Sequence, residues 1–137
     1  MPVSTNMFTD LLALARSARD HAYAPYSHFR VGAALLTRDG RRFGGCNVEN
    51  ASYGLCNCAE RTALFSAVAA GCRPGDFAAL AVIADGDSPV SPCGACRQVM
   101  AELCDGAMPV LMANLRGDTQ QATVAALLPD SFKLPPT

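Results

Sequence analysis

The sequence predicts an α/β fold, on three observations. Apolar stretches of strand length alternate with stretches of helical period. One of the former, residues 77–84, is almost unbroken apolar, as a strand buried on both faces reads. The punctuation agrees: Gly71 closes a helical stretch, and Asp39-Gly40 separates two strand-like ones. Five strands are expected, at residues 31–37, 42–48, 77–84, 108–113 and 120–123. A parallel crossover needs about a dozen residues. The gap before the last strand is too short for one, so that strand should run antiparallel to its predecessor.

The elements follow in order. Phe8, Leu11, Leu12, Ala15, Ala18 and Ala22 recur at helical spacing, which predicts an amphipathic helix over 7–22 with Asn6 as its cap. Pro25 then forces a loop, because the residue before proline is driven out of the helical region. Its aromatics Tyr23, Tyr26 and Phe29 are expected to pack onto the core, with one at the loop's end available to cover a flat ligand. Asp39-Gly40 predicts a two-residue hairpin turn with both residues at positive φ. Gly32, Gly44 and Gly45 weaken the first two strands but permit close backbone approach. A second helix is expected over 59–70, with Ala63, Leu64, Ala67 and Val68 as its buried stripe. A third is expected over 93–104, with Val99, Met100 and Leu103 inward. A short helical turn over 124–128 precedes an extended tail carrying Phe132.

The 137 residues fit one domain over 1–137, and half are apolar, enough for a core. A net charge of −1 is not the clustered basic excess of a chain that tracks a phosphate backbone, so no nucleic-acid partner is expected. No apolar run is long enough for a membrane span. The first ten residues lack the basic start and apolar core of a signal peptide. Seven cysteines without an export signal point to reduced thiols, a metal site and a cytoplasmic location.

Two stretches carry the chemistry. Asn57-Cys58-Ala59-Glu60-Arg61-Thr62-Ala63 offers a thiol and, two residues on, a carboxylate. Pro92-Cys93-Gly94-Ala95-Cys96-Arg97-Gln98 offers two thiols. Three thiols can hold Zn²⁺ with a fourth position open, the arrangement of a catalytic site. A carboxylate beside it that is not a ligand can move protons for a water there. Cys58 and Glu60 fall at a helix N-terminus, whose free N–H groups favour a thiolate. The competing reading is a zinc knuckle or ordinary core thiols, but structural sites use four ligands and need no glutamate. Asn47 and Glu49 point to one side of their strand, which suits a hydroxyl-rich ligand and equally a solvated loop. Cys46, Cys56, Cys72 and Cys104 are expected to be small buried or half-buried apolar residues. His21 and His28 are expected at the surface.

The C-A-E…P-C-G-A-C pattern matches the zinc-deaminase signature in its three-cysteine form. Together with Tyr23-Ala24-Pro25-Tyr26-Ser27, Phe29-Arg30-Val31-Gly32-Ala33-Ala34 and Gly45-Cys46-Asn47-Val48-Glu49-Asn50-Ala51-Ser52-Tyr53, it closely resembles the small homotetrameric cytidine deaminases of pyrimidine salvage. The resemblance runs from about residue 8 to 132. It implies a three-layer α-β-α sandwich around a five-stranded mixed sheet, and zinc-dependent deamination of cytidine and deoxycytidine. It implies one Zn²⁺ per subunit on Cys58, Cys93 and Cys96, with Glu60 as proton shuttle. Asn47 and Glu49 would hold the ribose hydroxyls, Phe29 would lie against the pyrimidine, and the Ala59 N–H would meet the base carbonyl. Arg61 would hydrogen-bond to the ligand sulfurs, offsetting the excess negative charge of three thiolates on Zn²⁺. Tyr53 and Phe132 would reach a neighbouring subunit's site in a homotetramer with sites at subunit interfaces.

Overall fold

The computed structural model describes residues 3–135. Strand β1 (Val31–Thr37) is the pivot of its sheet, flanked by β2 (Arg42–Cys46) on one side and β3 (Phe77–Ala84) on the other, both antiparallel to it. Strand β4 (Pro109–Asn114) lies parallel to β3, and β5 (Thr119–Thr123) closes the edge antiparallel to β4. The order is β2-β1-β3-β4-β5, a five-stranded mixed sheet with its last strand antiparallel, as the sequence predicts.

Alternation along the strands divides the core into two faces. Ala33, Leu35, Leu80, Val82, Val110 and Met112 face helices α2 (Ala59–Ala69), α3 (Gly94–Leu103) and the short α4 (Val124–Leu127). Ala34, Leu36, Ala79, Ala81, Ile83, Leu111 and Ala113 face helix α1 (Thr5–Arg19) alone. Three layers result, α1 on one side of the sheet and the helices that carry the thiols on the other. Both faces of β1 and β3 are covered, which is why these strands read as runs rather than alternations.

Two glycines set the helices on the sheet. A Cβ on Gly32 would fall 1.9 Å from the Ala15 carbonyl oxygen of α1. One on Gly45 would fall 2.4 Å from the Ala59 oxygen and 2.5 Å from the Ala63 nitrogen of α2. Gly44 makes only ordinary contact, at 3.4 Å from Ala18 Cβ.

Several boundaries differ from expectation, each for a local reason. Helix α1 begins two residues earlier, capped by Ser4, whose Oγ accepts the Met7 N–H at 3.2 Å; Asn6 lies inside the helix. It ends at Arg19 because Tyr23 is captured by the site loop: its N–H donates to the Asn47 carbonyl and its carbonyl accepts from Glu49. The same exchange, with Val48 bridged to Asn57, stops β2 at Cys46. The hairpin has three loop residues, with Thr37 N–H bonded to the Arg41 carbonyl at 2.9 Å. Only Gly40 takes a positive φ, at +91°, so the turn is the bulged type and not the two-residue one. Val68 is half-buried, and the inner face of α2 is completed by Ala59 and Glu60. Gly71, at φ +105°, ends α2 with the paired bonds of a Schellman motif, Cys72 N–H to Ala67 and Gly71 N–H to Val68.

Candidate active site

The two thiol-bearing stretches meet at the starts of α2 and α3. Cys58 and Cys93 are the N-cap residues of these helices, both with extended backbone, and neither side chain caps its own helix. Cys96 follows in the first turn of α3, so it rises on the same side as Cys93. The three sulfurs lie within 4.8 Å of one another, with Cys58 to Cys93 at 3.6 Å and Cys93 to Cys96 at 3.5 Å. A tetrahedral zinc site with Zn–S of about 2.3 Å has edges of about 3.8 Å. The cluster therefore fits a zinc ion without rearrangement, and three donors leave one position for a fourth group.

The electrostatics are those of a thiolate site. The Cys58 thiol is drawn down to about 5 by a hydrogen bond with Cys96 and by Arg61, against the opposing effect of burial. Cys96 is pushed up by that same bond and by burial. Arg61 Nη2 donates to Cys58 Sγ at 3.1 Å, the contact expected of it, and the sulfurs hold the guanidinium firmly charged. Its Nε is buried with no protein acceptor.

Glu60 is only 4% exposed. Burial pushes its carboxyl up to about 7, helped by the Cys58 charge and opposed by backbone N–H at the start of α2. A carboxyl poised near neutrality is suited to taking and giving a proton.

Beside the thiols opens a cavity of about 300 Å³ lined by Phe29, Asn47, Glu49, Cys58, Ala59, Glu60 and Cys93, with Ser27, Val31, Cys56, Asn57, Val90 and Ser91. The structure thus brings most of the expected site residues to one place. Asn47 and Glu49 do more than face that cavity. Asn47 Oδ1 accepts the Val31 N–H at 2.9 Å and its Nδ2 donates to the Phe29 carbonyl at 2.8 Å. Glu49 Oε1 accepts the N–H groups of Tyr26 and Ser27, both at 3.1 Å, and its Oε2 accepts the Ser27 hydroxyl.

Phe132 is not among the residues lining this cavity, and Tyr53 lines an adjoining one of about 340 Å³ that shares Ser27, Glu49 and Cys56 with it. Tyr53, 73% exposed, packs edge-on to Tyr26 at 6.1 Å between ring centres. Phe132 is 66% exposed, and its carbonyl accepts from Gln98 Nε2 at 3.0 Å. Tyr26 and Phe29 are also exposed, so the aromatic loop is less buried than a loop packed on the core should be.

Sequence reasoning missed Ser27 and Arg97. Arg97 donates to the Pro92 carbonyl at 2.7 Å, Ser91 Oγ at 2.5 Å and the Leu127 carbonyl at 2.8 Å. It so fixes the loop that delivers Cys93. Its place about one turn past Cys93 on α3 was the available signal. Cys46 and Cys56 are half-buried, Cys72 and Cys104 buried, and all seven cysteines are free. His21 and His28 are exposed.

This geometry coincides with a known family. The model of the cytidine and deoxycytidylate deaminase zinc-binding region matches residues 6–112. The chain belongs to that family. Among deaminases of this family, it is 59% identical over 122 residues to the cytidine deaminase of Sporosarcina psychrophila, covering 89% of this chain and 88% of that one. Identity to the cytidine deaminase of Halalkalibacterium halodurans is also 59% over 122 residues, covering 89% and 91%. The crystal structure of cytidine deaminase from Burkholderia pseudomallei superposes with a TM-score of 0.89 at 60% identity, covering 90% of this chain and 98% of that one. The family's zinc-binding region and the Cys58, Cys93 and Cys96 cluster agree on the metal.

Proposed function

We propose that this chain hydrolyses cytidine and deoxycytidine to uridine and deoxyuridine, releasing ammonia, with one Zn²⁺ on Cys58, Cys93 and Cys96. One observation carries the reading: a three-thiol cluster of tetrahedral dimensions with a buried carboxyl two residues from its first thiol, at a nucleoside-sized cavity. Zinc, when bound, supplies a Lewis acid that makes a water reactive near neutral pH.

The chain's own residues do the rest. Glu60 takes a proton from the water and gives it to the ring N3, which makes C4 electrophilic. The water oxygen adds to C4. Glu60 takes the remaining proton from the hydroxyl so formed and passes it to the exocyclic amine, whose bond to C4 breaks. Ammonia leaves while the oxygen stays as the C4 carbonyl and N3 keeps the first proton. The Ala59 N–H, free at the first turn of α2, donates to the base carbonyl. Phe29 forms the wall against which the pyrimidine lies. Asn47 and Glu49 receive the sugar hydroxyls on the side where they already hold the loop. Arg61 keeps Cys58 in its thiolate form.

The same reading makes the chain one domain and a homotetramer in the cytoplasm, its partner a free nucleoside and neither nucleic acid nor membrane. The exposure of Tyr53 and Phe132, with Phe132 away from its own chain's cavity, supports a role in a neighbouring subunit's site. Free cysteines support a reducing compartment. Among the described residues no helix is long and apolar enough to cross a membrane.

An absorbance assay of the zinc-loaded protein with cytidine, deoxycytidine, cytosine, adenosine and single-stranded DNA, with ammonia release as a second readout, tests the function. Turnover of the two cytosine nucleosides is expected. One bound zinc per chain and no turnover of any substrate would make the protein a zinc-stabilised binding module instead. Sedimentation at several concentrations tests the tetramer.

A further inference from the structure

The hydroxyl of Ser27 stands between two groups the cavity needs. It donates to Glu49 Oε2, and it accepts the Phe29 backbone N–H at 3.0 Å. Glu49 Oε1 takes the Tyr26 and Ser27 N–H groups of the same turn. A carboxylate has about four acceptor positions. Three are used here, all on residues 26 and 27, so the carboxylate is held in one orientation with capacity for about one more donor from the cavity it lines. Between Ser27 and Phe29, His28 has a left-handed backbone with φ 57°, a conformation uncommon in non-glycine residues though less so in histidine, and its surroundings hold it there. The surroundings are the Ser27 bonds on one side and the Asn47 bond to the Phe29 carbonyl on the other.

We propose that Ser27 is a positioning residue for nucleoside recognition, whose hydroxyl locks the Glu49 carboxylate and the Phe29 backbone into one unit. The proposal rests on the roles given above to Glu49 and Phe29. A hydroxyl suits this place because it donates and accepts at once. Alanine would free Oε2 to rotate and leave the Phe29 N–H without its acceptor; threonine would keep both bonds.

The test is steady-state kinetics on cytidine with the zinc-loaded enzyme, comparing Ser27→Ala, Ser27→Thr, Glu49→Gln and the double variant Ser27→Ala/Glu49→Gln, each checked for zinc content. Ser27→Ala should raise KM about ten-fold, the scale of losing one hydrogen bond to a charged group, with kcat within about two-fold. Ser27→Thr should stay within about two-fold of the parent in both constants. In the Glu49→Gln background Ser27→Ala should cost less than it does alone, because part of its effect passes through Glu49 and only the bond to the Phe29 N–H remains to be lost. Raised KM in Glu49→Gln with unchanged KM in Ser27→Ala would overturn the Ser27 role alone. Unchanged KM in Glu49→Gln would overturn the reading of Glu49 beneath it. Ser27→Thr as impaired as Ser27→Ala, or full additivity in the double variant, would also overturn the proposal.

Discussion

The thiol-bearing helix starts and the aromatic loop over residues 23–30 face the same cavity but are built differently. At the helix starts, chemistry is fixed by the core. Cys96 and Ala59 are fully buried and Glu60 nearly so, with Cys58 half-buried and Cys93 exposed at the helix caps, and α2 is pressed so closely on β2 that only glycine fits at position 45. The loop buries no side chain fully, and its aromatics Tyr23, Tyr26 and Phe29 are each about half exposed. It is held by hydrogen bonds from Asn47 and Glu49, about twenty residues away along the chain, to its backbone and to Ser27. The groups proposed to react thus sit mostly where packing leaves little freedom, and those proposed to recognise substrate sit where a few polar bonds set their position. Substitutions at the first should change turnover and metal content, and substitutions at the second should change affinity.

The sharpest way to break this division is Glu60→Ala. Turnover should fall by at least about 10²–10⁴-fold, the scale of a lost general acid–base, with one zinc per chain retained. Metal analysis beside single-turnover kinetics checks both, and full activity would remove Glu60 from the mechanism. Cys58→Ala should lose both activity and metal, whereas Cys104→Ala, a buried thiol outside the cluster, should keep its zinc. Zinc at unchanged stoichiometry in Cys58→Ala would dissolve the three-thiol site.

Gly45→Ala tests whether packing alone positions the helix start. A Cβ 2.4 Å from the Ala59 oxygen must displace α2, at a cost of about 1–3 kcal/mol or more. Thermal melts should show the loss, and zinc affinity should fall with it. On the loop side, Phe29→Ala should raise KM about ten-fold, with kcat changed far less, since it removes one aromatic contact to a base. A variant that instead lost turnover and left KM alone would blur the two regions into one.

The smallest effect concerns acid. The Glu49 carboxyl is held below its ordinary value of 4.5, first by the Ser27 hydroxyl and then by backbone N–H groups. Its folded pKa being depressed, the stabilisation of the loop is complete above the ordinary value and is lost as pH falls through the folded one. Protection factors of the Tyr26 and Ser27 amides, taken against the intrinsic exchange rate at each pH, should fall between about pH 6 and 3, while those in the interior of α2 hold. An equal loss of protection in both places would mean that the loop has no separate latch.

Local chemistry made much of this protein legible from residues alone. Strands β1 and β3 were placed to the residue because unbroken apolar runs bounded by polar residues have few alternatives. Gly71 marked the end of α2 because its conformation belongs to glycine. The cysteines were legible because metal chemistry allows few donor sets and the C-A-E and C-G-A-C spacings fix which thiols share a side. The antiparallel last strand followed from chain length. Tertiary structure decided what depended on partners distant in sequence. Helix α1 stops at Arg19 because Tyr23 pairs with residues 47–49, a contact no window of α1 contains. Asn47 and Glu49, ambiguous as a polar pair, gained their first role only when the fold brought residues 26–31 against them. Tyr53 and Phe132 could be named by resemblance, yet only the folded chain shows both rings exposed, Tyr53 beside the cavity and Phe132 away from it. Spacing encodes what a few neighbouring residues settle by their own sterics and donor chemistry; hydrogen bonds and contacts across the sheet depend on which surfaces the core brings together.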